Sequence, residues 1–134
     1  MATNITYNGD LRTTCTLAQS GTTILTDAPK DIKGIGEAFS PTDLVATALG
    51  TCIITIMAVK ADLIGVSMEG ATATVNKTMA NNPRRIAKLE VTVTMPANNY
   101  TDRAKKSLLR AAHACPVARS LSADLEEVLE IVWL

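Results

Sequence analysis

The run SPTDLVATALGTCIITIMAVKADLIG, from Ser40 to Gly65, decides the fold. Ser40 suits a helix cap, and Pro41 suits the first helical position, where its missing N–H is no loss. Asp43 places a negative charge at the positive end of the helix dipole. The spacing predicts a helix to about Asp62, with Gly65 as a terminator. No charge interrupts Leu44–Val59, and the helix is apolar almost all round, which demands burial on most sides. With its threonines and its helix start suited to water, the run falls short of a membrane span and reads as a core helix. A chain of 134 residues has few places to bury such a helix completely, so a dimer interface is expected to help.

Upstream of the helix, Leu11, Thr13, Cys15 and Leu17 alternate with Arg12, Thr14 and Thr16, the pattern of a half-buried strand. Gln19–Thr22 supplies a turn and Thr23–Thr26 a partner strand, and Asp27–Phe39 reads as a loop. Gly34 and Gly36 lack the third glycine of a dinucleotide fingerprint, which leaves them a turn. Downstream, Met68–Thr78 and Ile86–Met95 are strand-like around Asn81-Asn82-Pro83. Ala87, Leu89, Val91, Val93 and Met95 mark the inward face of the second run. A helix over Asp102–Cys115 breaks at Pro116, a short helix covers Val117–Leu125, and Val128–Trp133 is a last strand. The order indicates one α+β domain, with antiparallel sheets packed on a buried central helix.

Thirteen basic and thirteen acidic residues cancel, so no net field recruits nucleic acid or an anionic membrane. The helical basic stripe Arg103, Lys106, Arg110 and His113 has no interleaved aromatic and reads as a solvated face. Met1–Tyr7 is short, polar and β-like rather than a signal peptide, which points to the cytoplasm. Three cysteines at positions 15, 52 and 115 make no CxxC and no paired ligand spacing. Neither a disulfide framework nor a structural zinc site is expected.

The cysteines carry what chemistry the sequence offers. Cys15 sits on an inward strand face and reads as core. Cys52 lies mid-helix on the stripe Val45, Leu49, Cys52, Ile56 and Val59, and Cys115 ends the stripe Ala104, Leu108, Ala111. Two thiols pointing into one buried layer could meet. Cys115 precedes Pro116 at a junction opening a new helix, where unpaired N–H groups and the helix dipole favour a thiolate. Cys52, three turns into its helix, needs a cation from elsewhere.

Phe39–Leu44 with Ala48-Leu49-Gly50-Thr51-Cys52 resembles the first cysteine motif of the OsmC/Ohr superfamily, and Ala114–Leu121 resembles its second. The resemblance covers essentially the whole chain. It implies an intertwined homodimer with active sites at the subunit interface, a peroxidatic Cys52 and a resolving Cys115. It also implies organic hydroperoxides as substrates and an external dithiol as reductant, with no further cofactor. Two features depart from the peroxidase branches. They carry a glutamate after the helix-opening proline, where this chain has Thr42 and then Asp43, and their activating arginine comes from a hairpin that here has none. Arg12, Arg84 and Arg85 are the candidate substitutes. The departures fit a less-characterised branch, and they leave a non-catalytic dimer holding a small hydrophobic ligand as the alternative function.

Overall fold

The alternation around Cys15 does form a strand, within a sheet of three rather than two. In the computed structural model, which describes residues 1–134, β1 (Thr3–Gly9), β2 (Arg12–Leu17) and β3 (Thr23–Asp27) pair antiparallel in that order. The first strand was legible only as β-like sequence. It reverses into β2 through Asp10 and Leu11, both in the left-handed region (φ 56° and 59°). In register, Ile5 faces Cys15 and Ile24, and Tyr7 faces Thr13 and Thr26, so these side chains share one face. Asn4, Thr6, Thr14, Thr16 and Thr23 occupy the other. The apolar face was expected to point inward. Instead Ile5 is 67 % and Tyr7 65 % exposed, and Cys15 is only half-buried, so within one chain it is not a core residue.

This sheet belongs to a first unit, Met1–Val45; the second unit is Ala46–Leu134. Within the first, a short 3-10 turn (Lys30–Ile32) interrupts the predicted loop, and Asp27 N–H donates to Phe39 O at 3.0 Å to close it. Helix α1 (Pro41–Ile64) starts where the cap predicts. Asp43 N–H donates to Ser40 Oγ (3.1 Å), and Ser40 N–H donates to Asp43 Oδ2 (3.0 Å), a reciprocal box that satisfies two donors at the helix end. At the far end, Gly65 takes φ 74°, a left-handed stop that glycine adopts without strain.

In the second unit, β4 (Thr72–Ala80) and β5 (Arg85–Met95) pair antiparallel, while β6 (Glu126–Trp133) joins β5 in parallel. The parallel ladder departs from the all-antiparallel expectation and follows from connectivity. Helices α2 (Asp102–His113) and α3 (Pro116–Ser120) form the crossover that parallel neighbours require. Leu89, Val91, Val93 and Met95 form the buried face of β5, as the alternation indicated. They pack with Leu49, Ile53, Met57 and Ala61 of α1 and with Leu108, Ala112 and Cys115. The strand expected from Met68 begins at Thr72, because Met68 turns back through its carbonyl, which accepts from Ala71 N–H at 2.9 Å. By length and mean hydropathy (1.9) α1 could cross a membrane, but its Leu49–Ala61 stripe is the centre of this packed core.

Candidate active site around two thiols

The stripe of α1 that is fully buried runs through Leu49, Ile53, Met57 and Ala61, one residue round from the stripe expected through Cys52, Ile56 and Val59. A helix apolar all round does not reveal which side meets the sheet. The rotation leaves Cys52 and Ile56 half-buried and Val59 exposed. Cys52 therefore stands at the margin of the core, where a reactive thiol can be reached.

On the other side, Thr101 caps α2 by accepting from Ala104 N–H (3.1 Å), and the helix ends at His113. Cys115 takes an extended conformation (φ −60°, ψ 123°) as the residue preceding α3, with Pro116 at that helix's first position. This is the break that proline predicts. The Cys115 side chain is completely buried and lies in hydrogen-bonding contact with Cys52, and the backbone amides of Val117 and Ala118 also point at its sulfur. Both residues are free thiols.

The sequence argument that α3 would favour a Cys115 thiolate is corrected by this geometry. Burial pushes the thiol up, and its hydrogen bond to Cys52 pushes it further, while the amides of Ala118 and Val117 pull it down without prevailing. The net effect holds Cys115 toward its protonated thiol form.

The other candidates are each engaged locally. Arg12 binds Asp27 through Nε to Oδ1 at 2.7 Å and lies 3.7 Å from Glu37. Thr42 Oγ1 is 3.3 Å from Ser40 Oγ, and Asp43 completes the cap of α1. Arg85 donates from Nη1 to the carbonyls of Asn81 (3.2 Å) and Pro83 (2.9 Å), closing the β4–β5 hairpin. Gly50 packs on Val75, so the hairpin end beyond Ala80 lies roughly 16 Å of strand further on, and Arg84 and Arg85 are remote from Cys52. His113 is exposed, as its position on the basic stripe implied.

Asp27 escaped the sequence reading. Its side chain is wholly buried, and it accepts from Arg12 and from the backbone N–H groups of Glu37 (3.0 Å) and Ala38 (2.8 Å). Burial works to raise its pKa, but the Ala38 and Glu37 amides and the Arg12 guanidinium outweigh it and hold the carboxyl below its usual value. An acid at the end of a threonine-rich strand carries no local mark of this role.

The motif match is decided by comparison over the chain's length. The model of the OsmC-like protein family matches residues 34–127. The chain belongs to that family. A Psychrobacter arcticus structure, provisionally described as an osmotic stress induced and detoxification response protein, is 40 % identical. It covers 100 % of this chain and 96 % of its own, at a TM-score of 0.91. Two more distant OsmC/Ohr structures share the fold. The organic hydroperoxide resistance protein OsmC of Legionella pneumophila has a TM-score of 0.76 and 15 % identity, with 98 % of this chain and 97 % of that one covered. The organic hydroperoxide resistance protein of Elizabethkingia anophelis has a TM-score of 0.77 and 14 % identity, with 100 % and 97 % covered. No curated protein matches the chain.

Proposed function

We propose that this OsmC-like protein is a cytoplasmic thiol peroxidase of oxidative-stress defence that reduces organic hydroperoxides through Cys52 and Cys115. The observation that carries the reading is the hydrogen-bonding contact between the half-buried Cys52 and the buried Cys115. The Cys52 thiolate attacks the distal oxygen of the hydroperoxide; the S–O bond forms, the O–O bond breaks, and the alkoxide takes a proton and leaves as an alcohol. Cys52 is then a sulfenic acid. Cys115 gives up its proton and attacks the oxidised sulfur, a disulfide forms and water leaves. An external dithiol restores both thiols by exchange, becoming a disulfide itself.

OsmC/Ohr proteins are typically homodimers, and the apolar face of the first sheet supports the same assembly here. Ile5, Tyr7, Leu17 and Ile24 present a continuous apolar strip, all of them more than two-fifths exposed, which a second copy would cover. Arg12, held by Asp27, remains the candidate cation of the first unit. The test is dithiol-dependent turnover of cumene hydroperoxide by the wild type and by Cys52→Ser. Turnover that disappears with Cys52 supports the proposal. A wild type no faster than a simple thiol contradicts it and favours the non-catalytic binding protein.

A further inference from the structure

Cys52 and Cys115 bring two soft sulfur donors into hydrogen-bonding contact, Cys52 half-buried and Cys115 wholly buried behind it. Their surroundings are apolar. Cys115 belongs to the cluster that holds Leu49, Ile53, Leu108 and Ala112, and Cys52 packs against that cluster. No third His, Cys, Asp or Glu joins the pair to make a larger ligand group. Structural zinc takes four ligands and is poorly served here. Magnesium, calcium and copper(II) ask for sets of oxygen or nitrogen donors, which these walls do not offer. A soft monovalent ion differs. Copper(I) has a filled d shell, prefers sulfur and is satisfied by two thiolates in line. With each bond near the roughly 2.3 Å of zinc thiolates, such a unit spans about 4.6 Å, so sulfurs already in contact need part only slightly.

We propose that Cys52 and Cys115 form a two-coordinate copper(I) site, and that an ion bound there switches the thiol pair off. Binding changes no oxidation state. Each thiol releases a proton as its S–Cu bond forms, and the product is a bis-thiolate carrying one net negative charge. The backbone N–H groups of Val117 and Ala118, which point at the Cys115 sulfur, donate to that charge. The apolar walls keep the bound ion reduced, because copper(II) favours tetragonal nitrogen and oxygen ligands. Cys52 is the point of entry, being the less buried of the two. Copper(I) carried by a small thiol exchanges first onto Cys52 and then onto Cys115. Both sulfurs are then occupied, so neither attacks a peroxide and the two cannot join in a disulfide. That inhibition rests on the peroxidase reading above; the site itself does not.

The test titrates the full reduced chain, without oxygen, against the coloured copper(I)–bicinchoninate complex. The wild type should withdraw one copper(I) per chain, and Cys15→Ser should withdraw the same amount. Cys52→Ser and Cys115→Ser should each weaken capture by at least about a hundredfold, since losing only a hydrogen bond to a metal ligand costs roughly ten- to a hundredfold. X-ray absorption of the copper-loaded wild type, which does not depend on a variant folding, should show two sulfurs and no nitrogen or oxygen neighbour. Copper left on the chelator, capture unchanged by Cys52→Ser, or a spectrum with three or four ligands overturns the site. One bound equivalent should also abolish cumene hydroperoxide turnover, and a stronger chelator should restore it. Turnover unimpaired by bound copper overturns the switch. Copper capture by a chain that consumes no peroxide supports the site and removes only the peroxidase reading.

Discussion

Gly50 of α1 lies so close to β4 that a Cβ built on it would stand 2.7 Å from Val75 Cγ2. Glycine in mid-helix costs about 1 kcal/mol relative to alanine, so its place two residues before Cys52 has a packing reason. Any larger residue pushes the helix, and the sulfur it carries, off the sheet. Gly50→Leu is expected to destabilise by about 2–3 kcal/mol through overpacking. Gly50→Ala should cost less, and Val75→Ala combined with it should recover part of the loss. Denaturant midpoints for the two single variants and the pair check this, with non-additivity as the signature of direct contact.

The Ser40–Asp43 box predicts a smaller, local effect. Ser40→Ala removes the acceptor for Asp43 N–H and should cost about 1 kcal/mol. Ser40→Asn should restore most of it, since asparagine caps as well as serine. Thermal unfolding of the three proteins distinguishes loss of the cap from loss of the small buried side chain.

Asp27 ties Arg12 and the amides of Glu37 and Ala38 to the end of β3. Its carboxyl is lowered from 3.8 in the folded chain, so on acidification the unfolded chain takes up the proton first. The stabilisation is fully present above that unfolded value and is lost as the pH falls through it toward the lower folded one. Melting temperatures should therefore drop below about pH 4 in the wild type. In Asp27→Asn the part of that drop due to Asp27 should vanish. The same variant should be less stable at neutral pH and more readily cleaved by protease within residues 28–38.

The raised Cys115 thiol predicts how the second half-reaction depends on pH. Only the thiolate attacks a sulfenic acid, so at neutral pH the resolving step is held back by the proton on Cys115. In single-turnover experiments, disulfide formation after peroxide addition should accelerate by roughly tenfold per pH unit below the thiol's pKa. The rise should continue past the ordinary cysteine range, because burial holds the Cys115 thiol up.

Much of this was legible because single residues force local geometry. Ser40 and Pro41 fixed where α1 begins, Gly65 where it stops, and Pro116 where α2 and α3 part. The alternation of β5 gave its buried face from Leu89 to Met95, whereas Ala87, expected on the same face, is only half-buried. The face of α1 was not legible, because an all-apolar helix points in no direction until Gly50 meets Val75 across the chain. Strand β1 was only half visible: its Asn and Thr residues give a weak alternation, and its turn places the non-glycine pair Asp10 and Leu11 at positive φ. Asp27 was missed because its partners, the amides of Glu37 and Ala38, are backbone groups ten and eleven residues away. The meeting of Cys52 and Cys115 was expected as a possibility from two buried stripes, yet the raised Cys115 thiol depends on burial that only the packed core defines.

The central claim is that Cys52 and Cys115 act as one redox pair. The most direct measurement is the intact mass and peptide map of the fully reduced protein after one equivalent of cumene hydroperoxide. The account predicts rapid loss of two hydrogens and a peptide linked through Cys52 and Cys115. Thiols that stay reduced, or that oxidise no faster than a simple thiol in solution, would contradict it.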